Sequence, residues 1–305
     1  MIQATGFHRG QRVAADEIYD ATDQCPVCHA GEKRQAVFRI QRDPDIDMLA
    51  CPRCGAASAS HMPKPDLLNR YYQQYYTTSV SHTLHDPRRF VRHLLRALPQ
   101  FRSPRPLRIL DFGGGDGTLA IAFARELQAR AAAPMPIAIE LVDYAAPSQT
   151  HSDLLSIRGH RDLARVDGPF DVLFASAIVE HLPDAHAAIR RFTALAGPRA
   201  HMYARTPFML PLTRIIPGLD LTYPGHVHDM GSVFWHRFTR TFELDAEVIL
   251  SRPSIVETSL RESPVRTALA HALKFPALAE QALFGRSHLP RWKFVGGWEA
   301  VIRFT

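Results

Sequence analysis

The chain has 305 residues, 46% of them apolar and 22% charged, with a formal charge of +6. That length suits one large domain or a medium domain plus a small one, and that composition excludes a disordered chain. The positive excess fits nucleic acid, nucleotide-sugars, phosphorylated lipids or an anionic membrane surface without choosing among them, and a solvated basic surface accounts for most of the arginines.

The opening residues, MIQATGFHRGQRVAADE, hold no apolar core of signal-peptide length, and nowhere do about 18 apolar residues run together. A cytoplasmic protein without a membrane span is therefore expected. Four cysteines in a reducing compartment point to metal or catalysis rather than disulfides. Residues 1–66 are expected to form a zinc-ribbon module with its leader, residues 67–104 a helical connector, and residues 105–305 the main domain.

Cys25-Pro-Val-Cys28 and Cys51-Pro-Arg-Cys54 are two C-x2-C pairs. Each pair closes a tight turn whose amides face the sulfurs, and two such turns supply the four thiolates that tetrahedral zinc takes. Gly55 suits a turn that needs a positive φ. The strand-like AVFRI between the pairs provides a ribbon hairpin. So small a module has little core of its own, so metal would supply about 10 kcal/mol or more of its folding energy. Cys25-Pro-Val-Cys28-His29 also fits haem attachment, but that chemistry needs export and leaves the second pair unexplained. A redox C-x-x-C would need a surrounding βαβ unit.

Tyr71, Tyr72, Tyr75 and Tyr76 recur at helical spacing, as residues that pack on the next domain. Pro87 to Phe101 reads as an amphipathic helix with Phe90, Val91, Leu94, Leu95 and Leu98 on one face. The strand LRILDF follows, then a glycine-rich turn and a helix from Thr118 to Ala132. PIAIELVD and FDVLFASA read as strands, and Ala185 to Leu195 as a helix closed by Gly197 and Pro198. RAHMYART, ELDAEVILS and GGWEAVIRF complete the strands. A helical insertion at about 252–295 carries basic groups such as Arg266, Arg291 and Lys293, which meet either a phosphate or solvent. Strands alternating with helices predict an α/β fold with a mostly parallel sheet covered on both faces.

The central motif is Asp111-Phe-Gly113-Gly-Gly115-Asp-Gly117-Thr118, after an apolar strand and before a helix. Its glycines allow a sharp turn and close approach to a ligand at the carboxyl end of the strand. A dinucleotide fingerprint would need glycine at position 118, which holds threonine. An acid at the start suits a cationic ligand better than a pyrophosphate.

Together with Phe170-Asp171 and Glu180-His181-Leu182-Pro183-Asp184, this turn resembles the class I S-adenosylmethionine-dependent methyltransferases over about residues 105–245, in the subset acting on small molecules. The resemblance implies a Rossmann-like sheet of seven strands. It places S-adenosylmethionine on Asp111, Gly113, Gly115 and Gly117, with the ribose hydroxyls on Asp143 or, as an alternative, Glu140. Asp162 or nearby Asp167 would meet the adenine. His181 after the fourth strand, and His226 and His228 in Tyr223-Pro-Gly-His226-Val-His228-Asp229, are implied on the acceptor side. A histidine is a fitting base for a hydroxyl, and each of the three is equally read as a loop brace. Tyr203 and Arg205 either line the acceptor pocket or end a strand.

Methyl transfer to a hydroxyl of a sugar or natural product is the leading expectation. A ribosomal or transfer RNA methyltransferase using the cysteine module for RNA is the alternative. Against it, Lys33, Arg34, Arg39, Arg42 and Arg53 are balanced by Glu32, Asp43, Asp45 and Asp47, with no stacking aromatic pattern. A non-catalytic scaffold would not need the intact glycine turn.

Overall fold

The computed structural model describes residues 2–3, 9–78, 87–98, 106–143, 149–256, 263–285, 288–291 and 293–305. Residues 99–104 of the expected connector, and the side chains of Tyr75 and Tyr76, lie outside that description.

The cysteine region forms strands β1 (Gln35–Arg42), β2 (Asp45–Ala50) and β3 (Ala57–Ala59). AVFRI lies in β1, the first strand of the expected hairpin. Helices α1 (Pro65–Thr78) and α2 (Pro87–Ala97) follow. The main sheet is built from β4 (Leu107–Phe112), β5 (Ile137–Val142), β6 (Gln149–Ser152), β7 (Leu155–His160), β8 (Phe170–Ser176), β9 (Ala196–Thr206), β11 (Ala246–Pro253) and β12 (Trp298–Phe304). Between them run α3 (Thr118–Arg130), α4 (Ala185–Thr193), α5 (Ser232–Thr241) and α6 (Pro264–Phe284). Ile2–Gln3 pairs in parallel with Leu219–Asp220 as a separate small sheet, and the short strand β10 (His228–Asp229) joins β3 rather than the main sheet.

The strand order is β11-β12-β9-β8-β4-β5-β7-β6. β9, β8, β4, β5 and β7 are mutually parallel, while β12 runs antiparallel to β9 and β11. The six main-sheet strands read from the sequence are all there, β7 completes the seven that the resemblance implies, and β6 adds a short antiparallel edge. From β4 the chain winds one way through β5 and β7, then returns through β8 to β9 on the other side. The crevice at the carboxyl ends of β4 and β8 is thus a topological switch point. Central strands buried on both faces explain their continuous apolar runs: Ile109, Leu110, Val172, Leu173 and Phe174 are all buried.

Gly197 and Pro198 do not close a helix. They open β9, where the register shifts between Ala196 and His201, because the helix has already ended at Thr193. α2 docks on the sheet through Phe90, edge-on to Tyr203, and through a buried charge cluster. There His93 Nε2 lies 2.7 Å from Glu299, the Tyr203 hydroxyl donates to the same oxygen, and Arg252 donates to the other. Burial alone would raise the Glu299 pKa, but His93 and Arg252 pull it below the usual carboxylate range.

The cysteine region does not stand apart. Cys25, Val27, Cys51, Cys54 and Ala56 belong to the same apolar cluster as Phe192, Phe234, Trp235 and Phe238. The His186 amide at the start of α4 donates to the Pro26 carbonyl, and Arg237 of α5 donates to the carbonyls of Pro52 and Arg53. The β3–β10 pair is fixed by His228, whose Nδ1 lies 2.8 Å from the Ser58 hydroxyl and whose Nε2 lies 2.8 Å from the Leu182 carbonyl. A carbonyl only accepts, so Nε2 carries the proton and Nδ1 accepts from Ser58. His228 is therefore a brace.

Burial pushes the His228 pKa from 6.5 down to about 4, so the neutral ring is the folded form. As pH falls from 6.5 towards 4, the unfolded chain takes up this proton first and His228 subtracts stability. Replacing His228 with alanine should cost about 2–4 kcal/mol in denaturant unfolding at neutral pH. A His228→Gln variant should lose less stability than the natural chain between pH 6.5 and 4.

Candidate functional site

The glycine turn opens straight from β4. Gly113, Gly115 and Gly117 have φ of +73°, +60° and +80°, conformations that L side chains rarely adopt. Space is equally restrictive at Gly114, where a Cβ would sit 2.4 Å from the Asp111 carboxylate. Asp111 is buried, and its Oδ2 has no hydrogen-bond partner among the described residues. Burial, and after it the charge of Asp143, raise its pKa to about 7, while an amide hydrogen bond from Ala120 opposes them. An orphaned carboxylate at the mouth of a glycine turn fits a cationic group.

Asp143 follows β5, and its Oδ2 accepts from the Gly115 amide at 2.9 Å. Glu140 instead faces His160 and Arg158 across β5 and β7, which leaves Asp143 as the acid at the strand end. Asp162 follows β7 at the same edge and accepts from the Ala164 amide at 2.9 Å. Asp167 precedes β8, at the opposite edge, and its carbonyl accepts from Arg108. The structure thus brings Asp111, Gly113, Gly115, Gly117, Asp143 and Asp162 to one edge of the sheet.

The histidines that the resemblance assigns to the acceptor side follow β8 and β9. His181 Nδ1 lies 2.7 Å from the Gly225 carbonyl and 3.0 Å from the Tyr72 hydroxyl. The carbonyl fixes the proton on Nδ1 and leaves Nε2 as the basic nitrogen. Burial pushes the His181 pKa down to about 4, so the ring is neutral at pH 7. The His226 ring stands edge-on to it at 4.6 Å. Beside them is Glu180, buried, with Oε2 unpartnered among the described residues. Its pKa rises to about 8 through burial, with Asp229 adding and Arg205 opposing. Donor atoms of Glu180, His181 and His226 fall within 4.8 Å of one another, close enough to share one cation.

Tyr203 does not line this pocket, because its hydroxyl is held by Glu299 beneath the sheet. Glu180 and Tyr72 were not singled out from sequence as site residues. Glu180 stood in a quoted motif, whereas Tyr72 looked like one more packing tyrosine.

The four cysteine sulfurs also converge. Cys25 Sγ is 3.9 Å from Cys54 Sγ and Cys28 Sγ is 3.7 Å from Cys51 Sγ, and all four lie within 4.8 Å. Four sulfurs about 2.3 Å from one ion sit about 3.8 Å apart, so the spacing fits tetrahedral zinc. None is bridged. The turns match each other: Cys25 and Cys51 amides donate to the Ala30 and Ala56 carbonyls, and His29 and Gly55 amides donate back to Cys25 and Cys51. At Gly55, φ is +80° and a Cβ would strike Val233.

Among known proteins, a ubiquinone biosynthesis O-methyltransferase of Azorhizobium caulinodans is 28% identical over 172 residues, covering 52% of this chain and 63% of that one. A ribosomal protein L11 methyltransferase of Pseudomonas putida is 32% identical over 141 residues, covering 46% of this chain and 41% of that one. The chain thus spans less than two thirds of the length of these curated relatives. A solved magnesium protoporphyrin IX methyltransferase from Synechocystis, with S-adenosylhomocysteine bound, superimposes at a TM-score of 0.43 and 13% identity, covering 79% of this chain and 95% of that one. The family described as "Methyltransferase domain" matches residues 76–240, more than half of the chain, which therefore belongs to that family.

Proposed function

We propose that the protein transfers a methyl group from S-adenosylmethionine to a hydroxyl of a small molecule, such as a sugar or natural product. The observation that carries this reading is the unpartnered carboxylate of Asp111 at the head of a turn with three left-handed glycines, where β4 ends next to β8, the strand whose following loop carries His181. Bound there, S-adenosylmethionine supplies an electrophilic methyl on a sulfonium. Asp111 would take the cationic amino group of its methionine part, and the glycine turn, with its own amides of Gly113, Gly115 and Gly117 spent on Val142, Asp143 and Gly114, would let that part approach the backbone closely. Asp143 accepts from the ribose hydroxyls, and Asp162 meets the adenine.

The chain's own work is to place an acceptor and take its proton. His226 receives the hydroxyl proton. Neutral His181, fixed by Gly225 and Tyr72, orients the acceptor through Nε2. Glu180, protonated near neutrality, can donate to a second polar group on the acceptor. Cys25, Cys28, Cys51 and Cys54 would hold a zinc ion that keeps the two cysteine turns rigid, outside the transfer step.

Labelled methyl should move to small hydroxylated molecules in an acceptor screen; label entering ribosomal or transfer RNA instead would overturn the reading. Asp143→Ala should weaken S-adenosylmethionine binding about 10- to 100-fold by calorimetry. His226→Ala should leave that affinity unchanged and lower the transfer rate by about 10²- to 10⁴-fold. Cys51→Ser should release zinc, read by a metal-sensitive dye, and unfold the β1–β3 sheet.

A further inference from the structure

Helix α6 is turned inside out. Val265, Leu269, Phe275, Leu283 and Phe284 on it are between 60% and 78% exposed, and they make up five of the nine large apolar side chains exposed among the described residues. Its buried positions are instead mostly polar: Thr267, Lys274, Ala277, Glu280 and Gln281. Helical spacing sets Val265, Leu269 and Leu283 on one stripe and Thr267, Lys274 and Gln281 on the opposite one, while Phe275 and Phe284 lie at the flanks of the exposed stripe and buried Glu280 at its edge.

The buried polar groups have work to do. Gln281 donates to the Ser251 carbonyl at 2.9 Å, and Glu280 takes His288 on one oxygen and the Arg291 amide on the other. The helix is thus fastened to the protein by its polar side, and the apolar side is left outward by construction.

Two further observations say what covers that side. Glu280 is the only carboxylate in the sequence from Ser263 to Phe294, and it is buried. Arg266, Arg291 and Lys293 are exposed around the stripe, with exposed Phe294 next to Lys293. Partial burial, and after it the charge of nearby Arg214, lower the Lys293 pKa against the pull of Glu280, and Ile215, also exposed, follows Arg214. An apolar stripe ringed by cations and lacking outward carboxylates matches the headgroup and acyl boundary of an anionic bilayer. A second copy of the chain fits less well, since two-fold pairing would set these cations against their own counterparts.

We propose that the outer face of α6, with Ile215 and Phe294 beside it, docks on an anionic lipid surface while lying flat on it. No helix among the described residues is long and apolar enough to cross a membrane, which agrees with a helix whose other face is polar and built into the protein. Backbone contacts lead from α6 towards the carboxyl end of β9: the Leu273 carbonyl accepts from the Val295 amide, the Gly296 amide donates to the Phe208 carbonyl, and Phe208 lies two residues past Thr206, where β9 ends. The proposal stands independently of the transfer chemistry.

The test is co-sedimentation of the full chain with vesicles of phosphatidylcholine alone or mixed with phosphatidylglycerol. The natural protein should bind the mixed vesicles, lose binding as salt rises, and bind the neutral vesicles weakly. The double variant Leu269→Ser with Phe275→Ser should bind mixed vesicles about 100-fold more weakly, with an unchanged melting temperature showing that it folds. Arg266→Glu with Arg291→Glu should abolish the preference for phosphatidylglycerol. Absence of binding to mixed vesicles at low salt, or equal binding by the serine variant, would overturn the proposal. So would a dimer of the natural chain on gel filtration that the serine variant dissolves, since the face would then belong to a second copy.

Discussion

The structure depends on one joint, the pairing of β3 with β10 around His228. β3 follows directly from the second cysteine turn, and β10 follows directly from the loop that carries His226. Along this joint, Ala59 donates to the Val227 carbonyl and Val227 donates to the Glu180 carbonyl. His228 spans from Ser58 to Leu182. A continuous ladder therefore runs from the second cysteine turn, through β3, to the loops that carry His181 and His226. Holding the cysteine turns fixed holds these loops fixed.

Burial shapes the electrostatics: it raises the pKa values of Asp111, Glu180 and Asp229, to about 7, 8 and 7. Asp229 is partly compensated by the Met209 and Leu210 amides. Asp111 and Glu180 each keep an oxygen without a partner among the described residues. The nearby histidines are pushed the other way, towards the neutral ring. A crevice that disfavours charge on its acids while leaving them unsatisfied gains most from a ligand bringing a cation and hydrogen-bond donors, because each then restores what burial removed. For Asp111 that gain also favours the ionised carboxylate when a cation is bound, while Glu180, with the higher pKa, can stay protonated and donate.

Much of this was legible in the sequence because each signal was local. The D-x-G-x-G-x-G turn needs only its own backbone, and the C-x2-C pairs carry their geometry in four residues each. The central strands announce themselves by being apolar throughout. β7 was missed because Leu155–His160 buries only Ile157 and includes a glycine, so neither alternation nor an apolar run marks it. β10 was invisible because two residues carry no period, and its partner is some 170 residues away. His228 could not be told from His226 by type or spacing. What separates them is that both ring nitrogens of His228 are met by Ser58 and Leu182, a fact that exists only once the chain is folded. Tyr203 misled for a similar reason: its place near a strand end suggested the pocket, while alternation along β9 turned it to the face where Glu299 waits.

α6 shows the limit of reading amphipathicity alone. A helix with apolar residues on one stripe is normally assigned a buried stripe. Here the polar stripe has the better claim to the interior, because Glu280 and Gln281 satisfy backbone groups of Arg291 and Ser251 that would otherwise be stranded. An unmet buried polar group costs about as much as an exposed leucine forgoes, so a few well-placed polar contacts can decide which way a helix turns. Once they do, the apolar stripe needs a medium of its own. The chain therefore has two surfaces built on opposite logic, a crevice of buried acids short of partners and a helix face of apolar groups short of cover, each defined by what it lacks.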